Sequence, residues 1–408
     1  MRRLFVLSLF LAAGCTTAPV APPAPVAVQP APIATFPALV KVSSGSLPSL
    51  IDDADAASLR QAAQASADYF RSLPPEQSFS VAGDTYTARD LAESVESFAA
   101  LLDQNLAPKA FLERLRADYN VYQSAGSDGQ GLVTFSSYYE PTISARLART
   151  PVYKYPLLGR PDDLLDVNLG LFNPAYQGAR IVGRQQGRAL VPYYTREDID
   201  SSGVLAQRGL EVAWAKDPLD IFFLQVEGSG WLDLGGGRMV RIRYEGDNGR
   251  KFKSVGQYLI STGRVPARGF GHNQLVRYMK KHPEIRQDIL NVDERYIFFK
   301  LDTSTTSAYA FGNINEPLTP GRSIATDPKV FPKGMLAWIY VGTPSPRRER
   351  VVVRRFVLNQ DEGGAIQGPG RVDFFMGHGK KAEYFATHFW NPGQLYFLVK
   401  KSLPHPPL

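Results

Sequence analysis

Two aspartates near the C-terminus, Asp361 and Asp373, stand twelve residues apart, and the segment between them holds four glycines and a proline. A third acid, Asp327, lies upstream in Thr326-Asp327-Pro328. Glycines this dense, alternating with apolar residues, predict close backbone approaches and positive-φ turns rather than a flexible tail. Asp373 stands between Val372 and Phe374-Phe375, so it is expected to leave a strand beside apolar walls. Burial there raises a carboxyl pKa and keeps the group partly protonated, as a general acid requires. All three acids also read as turn-capping aspartates that bond their own backbone, most weakly Asp373. Where three such carboxylates converge, mutual repulsion raises at least one pKa.

A second group is Phe135-Ser136-Ser137-Tyr138-Tyr139-Glu140-Pro141. Paired tyrosines beside hydroxyls and an acid suit a sugar-binding wall, because flat rings stack on pyranose faces and hydroxyls bond their rims. Adjacent strand residues face opposite ways. One of Tyr138 and Tyr139 is therefore expected in the core and the other in the groove.

Other chemistries fit poorly. The histidines His272, His282, His378, His388 and His405 form no HExxH and pair with no cysteine, which argues against zinc. Gly228-Ser229-Gly230 lacks the spacing of a nucleophile elbow. Gly235-Gly236-Gly237 is followed by no Walker lysine and reads as a tight turn.

Helices are expected over 50–73 and 107–119. Thr87-Ala88-Arg89-Asp90 has the form of a capping box, followed by Leu91, Val95, Phe98 and Leu102 on one helix face. Such helices are expected to pack on a β-core. From about residue 130 short β-type runs alternate with Gly, Pro, Asn and Asp. They include 221–226, 239–244, 295–299, 335–341, 351–358 and 394–399. Many short strands with turn signals predict an all-β sandwich or barrel. Helices are expected to interrupt it at 253–261 and 273–281. Residues 344–350, rich in Pro and Arg, read as a solvated hairpin tip.

At 408 residues the chain has room for two to three domains. Its net charge is +7, and +5 without the first fourteen residues, which carry Arg2 and Arg3. That balance favours anionic partners only weakly, and the chain has no nucleic-acid recognition signature. Arg2-Arg3 and the apolar run 4–13 read as a secretory signal, too short to span a bilayer. Leu11-Ala12-Ala13-Gly14-Cys15 resembles a bacterial lipobox, with the sole cysteine, Cys15, lipidated. Thr16 after it resembles an outer-membrane address. The Pro/Ala/Val-rich residues that follow read as a semi-extended tether.

The chain resembles the membrane-bound lytic murein transglycosylase A family. The resemblance is carried by Ser137-Tyr138-Tyr139-Glu140-Pro141, Phe223-Leu224-Gln225-Val226-Glu227-Gly228-Ser229-Gly230 and Tyr244-Glu245-Gly246-Asp247-Asn248-Gly249. It continues through 318–328, 361–368 and Arg371-Val372-Asp373, the last three forming a three-aspartate module. It implies a mainly β fold: a double-psi β-barrel with an inserted second β-domain, preceded by an N-terminal helical segment. The expected divisions are 1–14 signal peptide, 15–40 lipidated Cys15 and tether, and 41–141 helices and first part of the barrel. The insert then covers 142–300, and 301–408 completes the barrel.

The activity implied is that of a lyase-type peptidoglycan exotransglycosylase, cleaving the β-1,4 bond between N-acetylmuramic acid and N-acetylglucosamine. Asp373 maps onto the family's catalytic acid, with Asp361 and Asp327 supporting. Tyr138, Tyr139, Ser136, Glu140, Gln225, Ser229 and Gln367 are the expected glycan contacts. No cofactor, metal or nucleic acid is implied. The partners expected are peptidoglycan strands, the outer membrane through the lipid, facing the periplasm, and a cell-wall synthesis or remodelling complex. The chain has Glu227 where the family often has Gln, Gln367 where it often has Lys, and Ser136-Ser137 where Thr-Gly is frequent. Two other readings stand beside this one: a non-catalytic peptidoglycan-binding lipoprotein on the same barrel, and a two-carboxylate hydrolase using Glu140 or Glu227.

Overall fold

The computed structural model describes residues 36–176, 179–302, 309–344 and 351–401. Cys15 and the leader, most of the tether, His405 and the hairpin tip over 345–350 lie outside the described residues.

The first part runs β1 (Leu39–Lys41), α1 (Ala56–Ser72), the hairpin β2 (Ser78–Val81) and β3 (Asp84–Thr87), then α2 (Ala88–Asp103) and α3 (Pro108–Asp118). Strands β4 (Tyr119–Ser124) and β5 (Val133–Glu140) follow. Asp55 caps α1 by accepting the Ser58 amide at 2.7 Å. The Thr87–Asp90 capping box forms as read, with the Asp90 carboxylate accepting the Thr87 amide at 2.8 Å. Leu91, Val95 and Phe98 are buried. Arg322, with no exposed surface, fixes this layer to the barrel. Its guanidinium donates to both Asp52 carboxylate oxygens at 2.7 and 2.8 Å and to the Phe356 carbonyl at 2.7 Å.

The middle part contains β6 (Thr142–Arg146), β7 (Tyr155–Leu158), β8 (Leu165–Asn168), β9 (Arg180–Gln186), β10 (Ala189–Pro192), α4 (Arg196–Asp200) and β11 (Glu211–Ala215). It continues with α5 (Pro218–Glu227), β12 (Gly230–Asp233), β13 (Met239–Asp247), α6 (Val255–Ser261), α7 (His272–Lys281), α8 (Arg286–Asn291) and β14 (Ile297–Asp302). Six of these strands form one sheet in the order β14-β13-β12-β6-β11-β7, and β8, β9 and β10 form a second. The expected strand at 221–226 is helical instead, inside α5. Asp217 accepts the Leu219 amide, Pro218 opens the first turn, and Gly228 closes the helix at φ 83°. Leu219, Ile221, Phe222, Leu224 and Gln225 are all buried, so the helix is apolar nearly all round and carries no amphipathic period.

The last part holds β15 (Ser323–Ala325), β16 (Leu336–Thr343), β17 (Val351–Asp361), β18 (Arg371–His378), α9 (Lys380–His388) and β19 (Trp390–Lys400). The strand order β19-β16-β17-β15-β18-β5 closes on itself because β19 also pairs with β5. The result is a closed six-stranded barrel, with β4 and β1 extending the sheet beyond β19. The pairs β5–β18 and β15–β17 are parallel and the other ring pairs antiparallel. Alternation along β5 and β18 sends Val133, Phe135, Val372 and Phe374 into the barrel core. Ser136 and Asp373 then face out. Gly370 permits the turn into β18, where a β-carbon would stand 2.6 Å from the Ser127 amide nitrogen.

Candidate active site

Asp373 is the third residue of β18, paired on one side with Ala325 and on the other with Ser136. It therefore sits within a ladder rather than in a turn at a strand end. The Ser136 hydroxyl donates to Asp373 Oδ1 at 2.8 Å. Arg371, two residues earlier and on the same face, donates from Nη2 to Ser136 Oγ at 2.9 Å and from Nη1 to the Thr134 carbonyl at 3.2 Å. Burial pushes the Asp373 carboxyl up to about 6. The Ser136 hydrogen bond and the Arg371 charge oppose that rise, and the charge of Asp361 adds to it.

Asp361 closes β17. Its Oδ2 accepts the Tyr138 hydroxyl at 2.7 Å, and its Oδ1 accepts the amides of Glu362 at 2.9 Å and Asn313 at 3.1 Å. Burial raises its pKa too, against those hydrogen bonds and the charge of Lys333. Asp327 has a different place. Its Oδ1 caps its own turn through the Lys329 amide at 3.0 Å, and its Oδ2 accepts the Gly368 amide at 2.8 Å. Gly368 has φ 74° and belongs to the loop that joins Asp361 to Asp373. The three acids thus do not meet at one point: Asp361 acts on Asp373 through space, whereas Asp327 holds their connecting loop.

Tyr138 packs outside the barrel core against Ala310, Leu318 and Phe375. Tyr139 is half-buried rather than core, one residue before β5 ends at Glu140 and the chain crosses into β6. Its amide donates to Glu227 Oε2 at 3.2 Å. Burial pushes Glu227 up to about 8, and the charge of Asp373 adds to this. Ser229 is half-buried just past α5, and Gln367 is exposed, donating to the Gly364 carbonyl at 3.1 Å. Glu140 and Gln225 depart from the expected set of glycan contacts. Glu140 is 1% exposed and forms an ion pair with Arg241 at 3.1 Å. Gln225, 4% exposed, accepts from Arg196 Nη1 at 2.5 Å and donates to the Ile297 carbonyl at 3.3 Å. Both are engaged inside the protein.

Lys333 and Trp390 near the acids are not singled out by the sequence, and Arg371 is named there only as part of a motif, without a role. Arg371 was legible in principle, since residues i and i+2 of a strand share a face. Lys333 lies in a turn with no local signal of burial. Trp390 has no signal at all, because only the β19–β5 pairing brings it beside Ser136.

Asp373, Ser136 and Arg371 thus form a buried acid with a hydroxyl donating to it and a cation donating to that hydroxyl. That set can hold and deliver one proton. The sequence matches the model of the MltA specific insert domain over residues 134–300 and that of the 3D domain over 322–399. The membrane-bound lytic murein transglycosylase A of Vibrio cholerae is 26% identical over 286 residues, 69% of each chain. That of Escherichia coli K12 is 26% identical over 283 residues, covering 68% of this chain and 69% of its own. Among solved structures, the membrane-bound lytic murein transglycosylase of Agrobacterium tumefaciens aligns at TM-score 0.74 and 24% identity, over 90% of this chain and 98% of its own. Escherichia coli MltA with bound chitohexaose aligns at TM-score 0.67 and 21% identity, over 90% and 96%. With both characteristic domains in their expected order and relatives over two thirds of its length, the chain belongs to the membrane-bound lytic murein transglycosylase A family.

Proposed function

We propose that this protein is a lytic transglycosylase of peptidoglycan, cleaving the β-1,4 bond from N-acetylmuramic acid to N-acetylglucosamine. The observation that carries the reading is Asp373, a carboxyl whose pKa is held near 6 in a site where one proton donor is well fixed. Protonated Asp373 gives its proton to the glycosidic oxygen as the bond to C1 breaks. The resulting carboxylate takes the proton from the muramic O6 hydroxyl, which closes on C1 to give the 1,6-anhydro end. No water is consumed, so no second carboxylate is required, in contrast with ordinary glycosidases. Holding the O6 nucleophile in the same molecule supplies a high effective molarity.

In this reading Asp361 tunes Asp373 by its charge, and Asp327 fixes the loop between them. Tyr138, Tyr139, Ser136, Ser229 and Gln367 line the path of the glycan. The six-stranded ring is read as a double-psi barrel, with residues 142–300 as the insert that roofs the groove. Among the described residues no helix is long and apolar enough to cross a membrane. The attachment proposed is a lipid on Cys15 in the outer membrane, with the protein facing the periplasm. The test is digestion of purified sacculi by the full-length protein in detergent, followed by mass measurement of the muropeptides. Anhydro ends support the reading, and Asp373→Asn retaining full activity would sink it.

A second reading is favoured by Glu227, whose charge and that of Asp373 act on each other. If Glu227 activates water, the same digest yields reducing ends, one water heavier.

A further inference from the structure

Asp373, Ser136 and Trp390 form one row across three strands. Ser136 of β5 is the register partner of Asp373 on β18 and of Trp390 on β19. Directly opposed residues on neighbouring strands project to the same face, and two contacts bear this out. Ser136 Oγ bonds Asp373, and the Arg371 guanidinium that donates to Ser136 lies over the Trp390 indole at 4.4 Å. With strands ~4.8 Å apart, Trp390 stands about 10 Å along the row from Asp373.

Trp390 is 67% exposed, although it is large, apolar and set in a barrel strand. Its neighbour Phe389 is 3% exposed and inserted in the barrel core, which fixes the backbone beneath it. One face of the indole is covered by Arg371, and the exposure belongs to the rest of the ring. An aromatic plate that is rigidly held, open on one side and bordered by a guanidinium and a hydroxyl matches a pyranose. Its C–H face packs on the ring, and its hydroxyl and acetamido groups meet polar neighbours. Fixing the plate in advance also lowers the ordering cost of binding.

We propose that Trp390 is the floor of a sugar subsite beside the cleaved bond, on which one pyranose of the glycan strand stacks. The inference rests on the reading of this groove as a glycan-cleaving site. It adds a consequence: the side chain that holds the plate, Arg371, also holds Ser136, which holds Asp373. Occupancy of the subsite and placement of the acid therefore share one guanidinium.

The test uses full-length Asp373→Asn protein in detergent, titrated with chitohexaose by calorimetry, alone and with Trp390→Ala, Trp390→Phe or Trp390→Leu added. Loss of the stacking face is expected to weaken binding about tenfold in Ala and Leu, whereas Phe stays within about threefold. Leu keeps apolar bulk against Arg371 without a flat face, so it carries the comparison should Ala impair folding. With Asp373 intact, Trp390→Leu is expected to raise KM on sacculi by a similar factor and leave kcat within about threefold. Equal affinity in the Trp390 and Leu proteins overturns the proposal. So does a fall in kcat with KM and affinity unchanged, which would make Trp390 a brace for Arg371 only. If the Asp373→Asn protein binds neither chitohexaose nor sacculi, the glycan reading itself fails and the subsite with it.

Discussion

The Ser136 hydroxyl donates to Asp373 Oδ1 at 2.8 Å while accepting from Arg371 at 2.9 Å, so the acid is held by a hydroxyl that a cation has already polarised. A hydrogen bond given to a carboxylate stabilises the charged form and works against burial. Removing it in Ser136→Ala lets the Asp373 pKa rise above its value of about 6. Protonated Asp373 starts the reaction, so kcat/KM falls as pH rises through that pKa. The alkaline limb should therefore move to higher pH in the variant. The maximal rate should fall about tenfold, because the carboxyl loses its orienting partner. A pH profile of muropeptide release measures both. A limb that stays in place would disconnect Ser136 from the acid.

The same raised pKa predicts a stability difference. Asp373 titrates at 3.8 in its ordinary state and about 6 in the folded protein. Between those values the folded chain holds a proton that the unfolded chain releases. Stability contributed by the group is thus present below pH 3.8 and lost as pH rises through 6. At pH 7 the native protein carries a buried carboxylate that Asp373→Asn does not. The variant is expected to melt above the wild type at pH 7, with the gap narrowing towards pH 4. Scanning calorimetry across that range checks it, and a gap independent of pH would show that the carboxyl is not destabilised by burial.

Local features were legible in the sequence, and long-range ones were not. The Thr87–Asp90 box and the runs that became β13, β16, β17 and β19 are written in neighbouring residues. The run 221–226 misled because a helix buried on nearly all sides has no period to read. Asp373 and Asp361 stood out by type and setting. What holds them did not, since Ser136 and Tyr138 lie more than two hundred residues away and meet them only through barrel closure. Glu140 and Gln225 sit in motifs that carry the family resemblance, yet their partners Arg241 and Arg196 draw them inward. Motif membership gives a residue's neighbourhood, not the direction of its side chain.

Glu227 separates the two chemistries. Burial pushes it up to about 8, so at pH 7 it is mostly neutral and glutamine is a close replacement in shape and charge. If Asp373 acts alone, Glu227→Gln should keep activity within about threefold at pH 7 and still release anhydro ends. If Glu227 activates water, the variant should lose several orders of magnitude of activity, as glycosidases do without their second carboxylate. Rate and product mass from one digest decide between them.

Lys333 is the cation beneath the module. It is 6% exposed, and its Nζ donates to the Thr326 carbonyl at 2.8 Å, Thr326 Oγ1 at 3.0 Å, Asn359 Oδ1 at 3.2 Å and the Asp361 carbonyl at 2.5 Å. Burial pulls its pKa down to about 8, while Asp361, Glu362 and Asp327 pull it back up. The ammonium thus ties the segment before Asp327 to the end of β17, where Asp361 begins the loop. Lys333→Met keeps the stem but leaves the Thr326 carbonyl without the ammonium, and Asn359 Oδ1 and the Asp361 carbonyl with only the Thr326 hydroxyl and amide, and should cost about 2–4 kcal/mol of stability. Urea unfolding at pH 7 measures this. Loosening the anchors of Asp361 and Asp327 should also lower kcat on sacculi about tenfold at temperatures where the variant remains folded. A loss below about 1 kcal/mol would mean that water replaces the ammonium in this cage. An unchanged kcat in a folded variant would show that the loop between Asp361 and Asp373 keeps its shape through Asp327 and Gly368 alone.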